Sequence, residues 1–106
     1  ENIFAIGDVT ALSAGENLAV PKAGIFAEGE GITVAKNIIS KIQLKKETAL
    51  FDGNGGCFIE SGRDSAAVLQ VDMFSHSKPS TNLSELSSDN LSKKKEFEKE
   101  RLSKWL

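Results

Sequence analysis

The run Asn2-Ile3-Phe4-Ala5-Ile6 leads straight into Gly7-Asp8, and Pro-Lys-Ala-Gly-Ile-Phe-Ala-Glu-Gly follows at 21–29. An apolar run this short, closed by a turn pair, reads as a strand over residues 2–6, buried on both faces as in a parallel sheet. Gly7-Asp8 ends it, and residues 9–20, with Ser13, Gly15 and Asn17, read as a loop. Pro21 suits the first position of a helix, where its missing N–H has no intrahelical partner to lose. The first turn of that helix, Pro21 to Gly24, carries no bulky side chain. A strand, turn, loop and helix in this order bring one carboxylate, Asp8, and one helix N-terminus to the same ligand.

Apolar residues recur at Ile25, Ile32, Ala35, Ile38, Ile39 and Ile42 with helical spacing. Gly29 and Gly31 weaken such a helix by about 1 kcal/mol each relative to Ala. Small residues persist in a helix where something must approach closely, such as a ligand ring or a neighbouring helix. Lys45, Lys46 and Glu47 then form a polar connection. Asp52-Gly53-Asn54-Gly55-Gly56 is a turn cluster, and Cys57–Ser61 reads as a strand. Gly62-Arg63-Asp64 reads as a tight turn, and residues 65–74 as a second strand, so that the pair forms a β-hairpin. Residues 75–92, rich in Ser and Asn, are expected to be an extended loop. Residues 93–106, Lys-Lys-Lys-Glu-Phe-Glu-Lys-Glu-Arg-Leu-Ser-Lys-Trp-Leu, read as a charged helix. The expected segments are therefore 1–48, 49–74, 75–92 and 93–106.

With 106 residues and 40% apolar content, one small domain is the ceiling. A net charge of -2 gives no global argument for nucleic acid or an anionic membrane. Cys57 is the single cysteine, so no internal disulfide forms, which fits a reducing, cytoplasmic setting. No apolar run reaches the length that spans a bilayer. The chain opens directly into a strand without an initiator methionine, which predicts a piece of a longer protein.

Each motif has a plain alternative. Gly-Asp after an apolar strand is commonly a turn glycine followed by a capping aspartate. Its functional reading gives the ionised Asp8 a hydroxyl partner and uses Gly7 to let the backbone pass close to a ligand. Residues 21–24 are either an ordinary proline-led helix start or a set of unpaired N–H groups with partial positive charge. Cys57 is either an inert buried thiol or a reactive one whose pKa neighbouring groups lower from about 8.5. Gly29-x-Gly31 imitates a dinucleotide fingerprint and is rejected, since it lies inside a helix flanked by Glu28 and Glu30, which repel a pyrophosphate. Gly53–Gly56 reads as a plain turn, and His76, alone in a Ser-rich stretch, as a surface histidine, so no metal is expected. The sequons at Asn82 and Asn90 lack a secretory signal and read as chance matches. In the tail, Leu91, Leu102, Trp105 and Leu106 fall on one helical side while Phe97 falls off it. Mixed lysines and glutamates favour docking on the parent protein over peripheral membrane contact.

Asn2–Asp8, Pro21–Gly29 and Cys57-Phe58-Ile59-Glu60-Ser61-Gly62, with Lys94-Lys95-Glu96-Phe97-Glu98-Lys99 in the tail, resemble in order the C-terminal part of sulfide:quinone oxidoreductases and flavocytochrome-type sulfide dehydrogenases. Type II NADH dehydrogenases share the Gly-Asp turn, and an NAD(P)H-dependent flavoprotein is the alternative within the same enzyme class. Pro21-Lys22-Ala23-Gly24 favours the sulfide side. The resemblance implies an α+β fragment: the terminal strand and helix of an FAD/NAD(P)-binding Rossmann-type domain, a small antiparallel hairpin and a C-terminal helix. It implies that FAD is the cofactor, held by Gly7, Asp8, Pro21, Lys22, Ala23 and Gly24 and reached by Lys94. It further implies that Cys57 joins a sulfur relay beside the flavin, and that electrons pass through FAD to quinone or another acceptor. The partner implied is the N-terminal remainder of the same protein, and the fragment alone is expected to be inactive. A remnant acting as an interaction module is the reading from a different class.

Overall fold

The isoleucine period does produce a helix. In the computed structural model, which describes residues 3–62, 64–76 and 78–106, α1 runs Gly24–Ile42. It is followed by β3 (Asn54–Glu60), β4 (Ala66–Asp72), β5 (Ser80–Leu83) and α2 (Ser88–Trp105), and is preceded by a 3-10 turn at Gly7–Val9 and two short strands, β1 (Ser13–Gly15) and β2 (Leu18–Ala19). The protein is an α+β fold with two antiparallel sheets, β1-β2 and β3-β4-β5. The expectations that fall on Asn2, Arg63 and Ser77 lie outside the described residues. None of the helices among the described residues is long and apolar enough to cross a membrane.

The chain divides into two compact units, residues 1–55 with 71–80, and residues 56–70 with 81–106. In the first, Val20, Phe26 and Met73 form the buried core, with Leu12, Ala14, Ala23, Ile25, Phe51 and Val71 packed around it. Phe51 joins the rings, edge-on to Phe26 at 6.3 Å and to Phe74 at 5.9 Å, a geometry that sets positive ring edges against negative faces. Gly29 and Gly55 make room for these rings. A Cβ on Gly29 would stand 2.8 Å from Phe51, and one on Gly55 2.5 Å from Phe26. The close approach expected at Gly29 is therefore made by the chain's own phenylalanine. Asn37 clamps the returning chain with two hydrogen bonds, Nδ2 to the Ala49 carbonyl and Oδ1 from the Ala49 amide, both 2.9 Å.

Four expectations are corrected in this unit. Residues 3–6 are extended at Ile6 (φ -141°, ψ 160°) but form no strand, and Ile3 is 90% exposed. Local sequence favours the extended form, but a strand needs a neighbour, and all strands among the described residues pair in the two antiparallel sheets. Residues 9–20 contain a hairpin, registered Ser13 to Ala19 and Gly15 to Leu18. Asn17 turns it with φ 58°, a left-handed conformation that asparagine tolerates. Pro21 is not the first helical residue. Val20 is buried and its amide donates to the Leu12 carbonyl at 2.9 Å, so the chain leaves the hairpin extended and α1 starts at Gly24 with Ala23 as N-cap. Asn54, Gly55 and Gly56 belong to β3 rather than to a turn. The bend lies at Gly53, whose carbonyl accepts from the Met73 amide at 2.9 Å.

The apolar stripe of α1 is only partly used. Ile25 packs on the core, whereas Ile32, Ile39 and Ile42 are exposed and the helix buries Phe26 and Glu30.

Residues 75–92 are not an extended loop, because they hold β5 and the first turn of α2. Ser87 forms an antiparallel bridge with Ala66 and caps α2, its hydroxyl accepting from the Asn90 amide at 3.1 Å. Serine competes for backbone donors in loops and at helix starts alike, which is why composition alone reads this stretch as loop. The docking face of α2 also differs from the expected stripe. Phe97 meets Phe58 with ring centroids 6.0 Å apart, and Arg101 lies over Phe97 at 4.6 Å. Leu102, Trp105 and Leu106 are exposed.

Candidate functional site

Gly7 has φ +71°, the left-handed conformation glycine adopts without penalty. A Cβ there would also stand 3.4 Å from Ala27. This turns the chain into the 3-10 turn that presents Asp8, and the turn is tied to α1. The Gly7 amide donates to Glu30 Oε2 at 2.6 Å, and Thr10 Oγ1 lies 3.4 Å from the same oxygen. Thr10 closes the turn, its amide and hydroxyl both donating to the Gly7 carbonyl, at 2.9 and 2.8 Å. Lys22 Nζ donates to the Thr10 carbonyl. Glu30, 7% exposed, is the buried post on which the turn is fixed.

A shallow crevice, partly open to solvent and too tight to admit a water molecule, lies between the turn and the start of α1. Gly7, Asp8, Pro21, Lys22 and Ala23 line it, together with Thr10, Phe26 and Glu30. Five of the six residues expected at one ligand edge are thus brought together. The sixth, Gly24, is outside the lining and has open space where a Cβ would stand.

Among the described residues no donor engages Asp8, so its carboxylate is available to a hydroxyl group. No side chain caps α1. The amides of Gly24 and Ile25, at its first two positions, are left without helical partners. Two carboxylates on the lining, Asp8 and Glu30, oppose a phosphate, with Lys22 as the one lining cation. The arrangement suits a neutral, hydroxyl-bearing ligand with a carbonyl edge. The crevice encloses no room for even a water molecule, far short of the roughly 300–1,000 Å³ of sites that enclose a small molecule, so a ligand could only lie against its rim.

Sequence reasoning considered Glu30 only as a group that repels pyrophosphate. Its position four residues after Phe26 and three after Ala27 was the available signal, since such spacings share one helical face. A charged side chain on a core-facing row needs a built partner, here the Gly7 amide. Thr10 was missed because nothing in a loop reading singles it out.

Cys57 and Lys94 belong to the second unit. The Cys57 thiol is exposed on β3, which removes the buried-thiol reading without supplying a redox partner. Lys94 Nζ lies 2.9 Å from Glu60 Oε1 in a half-exposed ion pair. His76 is exposed, with φ 44°. Comparison with protein-family models, with curated proteins and with solved structures finds no match to this chain.

Proposed function

We propose that this chain is the C-terminal segment of an FAD-dependent oxidoreductase of the sulfide:quinone oxidoreductase type. The observation that carries the reading is the crevice in which Gly7-Asp8 and residues 21–23 meet. FAD supplies two-electron transfer between a reduced substrate, sulfide or another sulfur species, and an acceptor such as quinone. The residues present fit one edge of that cofactor. Asp8 accepts hydrogen bonds from the ribityl hydroxyls, and the uncapped amides of Gly24 and Ile25 donate to a carbonyl edge. Gly7, held by Glu30, sets the distance of Asp8 from the ligand. Cys57, exposed on β3, serves as the sulfur-carrying thiol, and Lys94 as the cation that reaches towards the cofactor once released from Glu60. The protein resides in the cytoplasm, with peripheral membrane contact through the tail as the route to a quinone.

A second reading, a non-catalytic interaction module, draws on the exposed row Ile32, Ile39 and Ile42 of α1. The two separate cleanly. The coding sequence upstream of Glu1 is expected to continue into a Gly-x-Gly-x-x-Gly strand–helix unit, and the protein so encoded to retain FAD through gel filtration. In it, Asp8→Ala weakens FAD binding at least about tenfold, the scale of a lost charge-assisted hydrogen bond. The 106-residue chain alone quenches flavin fluorescence little. Tight stoichiometric FAD binding by that chain, or an upstream stop with no nucleotide-binding unit, overturns the proposal.

A further inference from the structure

Helix α1 shows to solvent a more apolar row than the one it turns to its own unit. The inward row is Phe26, Glu30, Thr33 and Asn37, buried or half-buried. All but Phe26 are polar. Glu30 fixes Gly7, Thr33 Oγ1 donates to the Gly29 carbonyl at 2.9 Å, and Asn37 holds Ala49. The outward row is Ile32, Ala35, Ile39 and Ile42, and every member is exposed. Steps of three, four and three residues are the spacing of a seam that packs against a second helix. A lone exposed isoleucine needs no explanation, but a continuous row marks an interaction site.

The order of residues along the row says what fits it. Turned end for end about a two-fold axis beside residue 37, the row matches itself. Ile32 then faces Ile42 of the second copy, and Ala35 faces Ile39 of the second copy. A small side chain opposite a large one lets two helices approach closely. The same register brings Glu28, one turn before Ile32, to Lys45 and Lys46, which follow the end of the other helix. Opposite charges thus meet at both ends, and the antiparallel helix dipoles add to the match. On one flank Ile38, also exposed, meets Ile38 of the second copy. On the other, Lys36 comes beside Lys36 of the second copy, at a rim where salt screens the repulsion.

From this we infer that a second copy of this chain docks on the outward row of α1, with the two helices antiparallel and a two-fold axis between them. This gives the row on which the interaction-module reading draws a definite partner. It uses nothing from the crevice at Gly7, so dimer formation and FAD retention succeed or fail separately.

The test is sedimentation equilibrium of the 106-residue chain at rising concentration. The mass is expected to climb from that of one chain, 11.4 kDa, towards that of two. Ile39→Glu, at an exposed position, weakens the association at least about tenfold, the effect of losing one buried apolar side chain, with an unchanged unfolding midpoint. Zero-length carbodiimide cross-linking of mixed ¹⁴N and ¹⁵N chains is expected to join Glu28 to Lys45 or Lys46 in mixed-isotope pairs. Within one chain Glu28 and Ile42 already lie roughly 21 Å apart along α1 at about 1.5 Å per residue, too far for such a link. A chain that keeps the mass of one copy up to about 1 mM overturns the inference. So does an Ile39→Glu variant that associates as the natural chain does, or a dimer linked elsewhere and never through Glu28. If the coding sequence yields a longer protein that stays monomeric and that Ile39→Glu destabilises, its own upstream part is the occupant and the second copy is overturned.

Discussion

Two buried polar side chains stand at comparable depth and do opposite things. Glu30, 7% exposed, accepts through a carboxylate oxygen from the Gly7 amide. Asn90, 9% exposed, donates both hydrogens of its amide nitrogen, to Ser84 Oγ and to the Glu85 carbonyl. In the first unit the buried group accepts and fixes the turn at Gly7. In the second it donates and ties the chain at Ser84 and Glu85 to the start of α2. Burial demands partners for polar atoms, and the two residues meet that demand from opposite sides of the hydrogen bond.

That contrast is open to direct attack, first through packing. If the first unit is shaped by its aromatic core, Phe26→Ala is the most damaging change. Loss of a buried phenylalanine costs about 3–5 kcal/mol, read in urea unfolding of the chain. A loss under about 1 kcal/mol, the scale of a surface change, would show that the Phe26, Phe51 and Phe74 cluster does not set the crevice.

Next comes Glu30. Its replacement by Ala leaves the Gly7 amide without its partner and costs about 1–3 kcal/mol. Glu30→Gln retains an acceptor oxygen and recovers much of that. Exchange of the Gly7 amide proton is the sharper readout, faster in the alanine variant and near wild type in the glutamine one. Equal exchange in both would demote Glu30 from post to bystander.

The smallest effect belongs to the second unit. Ser87→Ala removes the hydroxyl that caps α2 and costs about 1 kcal/mol. Because Ser87 also pairs with Ala66 through backbone bonds of 2.9 and 3.1 Å, which the substitution keeps, thermal unfolding should shift by a few degrees and no more. A collapse of the unit would mean that the cap, rather than the bridge, holds the helix.

Much of the architecture could be read from spacing. Isoleucines at helical intervals marked α1 apart from its start, and the apolar stretches around Gly62 marked β3 and β4 apart from their ends, because periodicity reports which positions share a face. Gly7, Asp8, Pro21, Lys22 and Ala23 were likewise legible as neighbours, and they line one crevice. The β1-β2 hairpin, β5 and the first turn of α2 were not, since Ser, Asn and Gly serve turns, caps and short strands with nearly equal ease. Phe97 was misplaced for a different reason. Helical spacing groups residues of one helix, whereas the face that docks is chosen by the partner, here Phe58.

The sequence by itself determined the elements with long apolar periods, the Gly-Asp turn and the absence of a disulfide within these 106 residues. Local conformational preference and covalent chemistry suffice for these. Only the tertiary structure decided that Pro21 precedes the helix, that Phe51 takes the space over Gly29, that Glu30 fixes Gly7 and that Asn90 donates to Ser84 and Glu85. Each of these depends on a partner distant in sequence or a chain path set by packing. Local propensities of a few tenths of a kcal/mol cannot outweigh the burial and hydrogen-bonding terms of several kcal/mol that settle such choices.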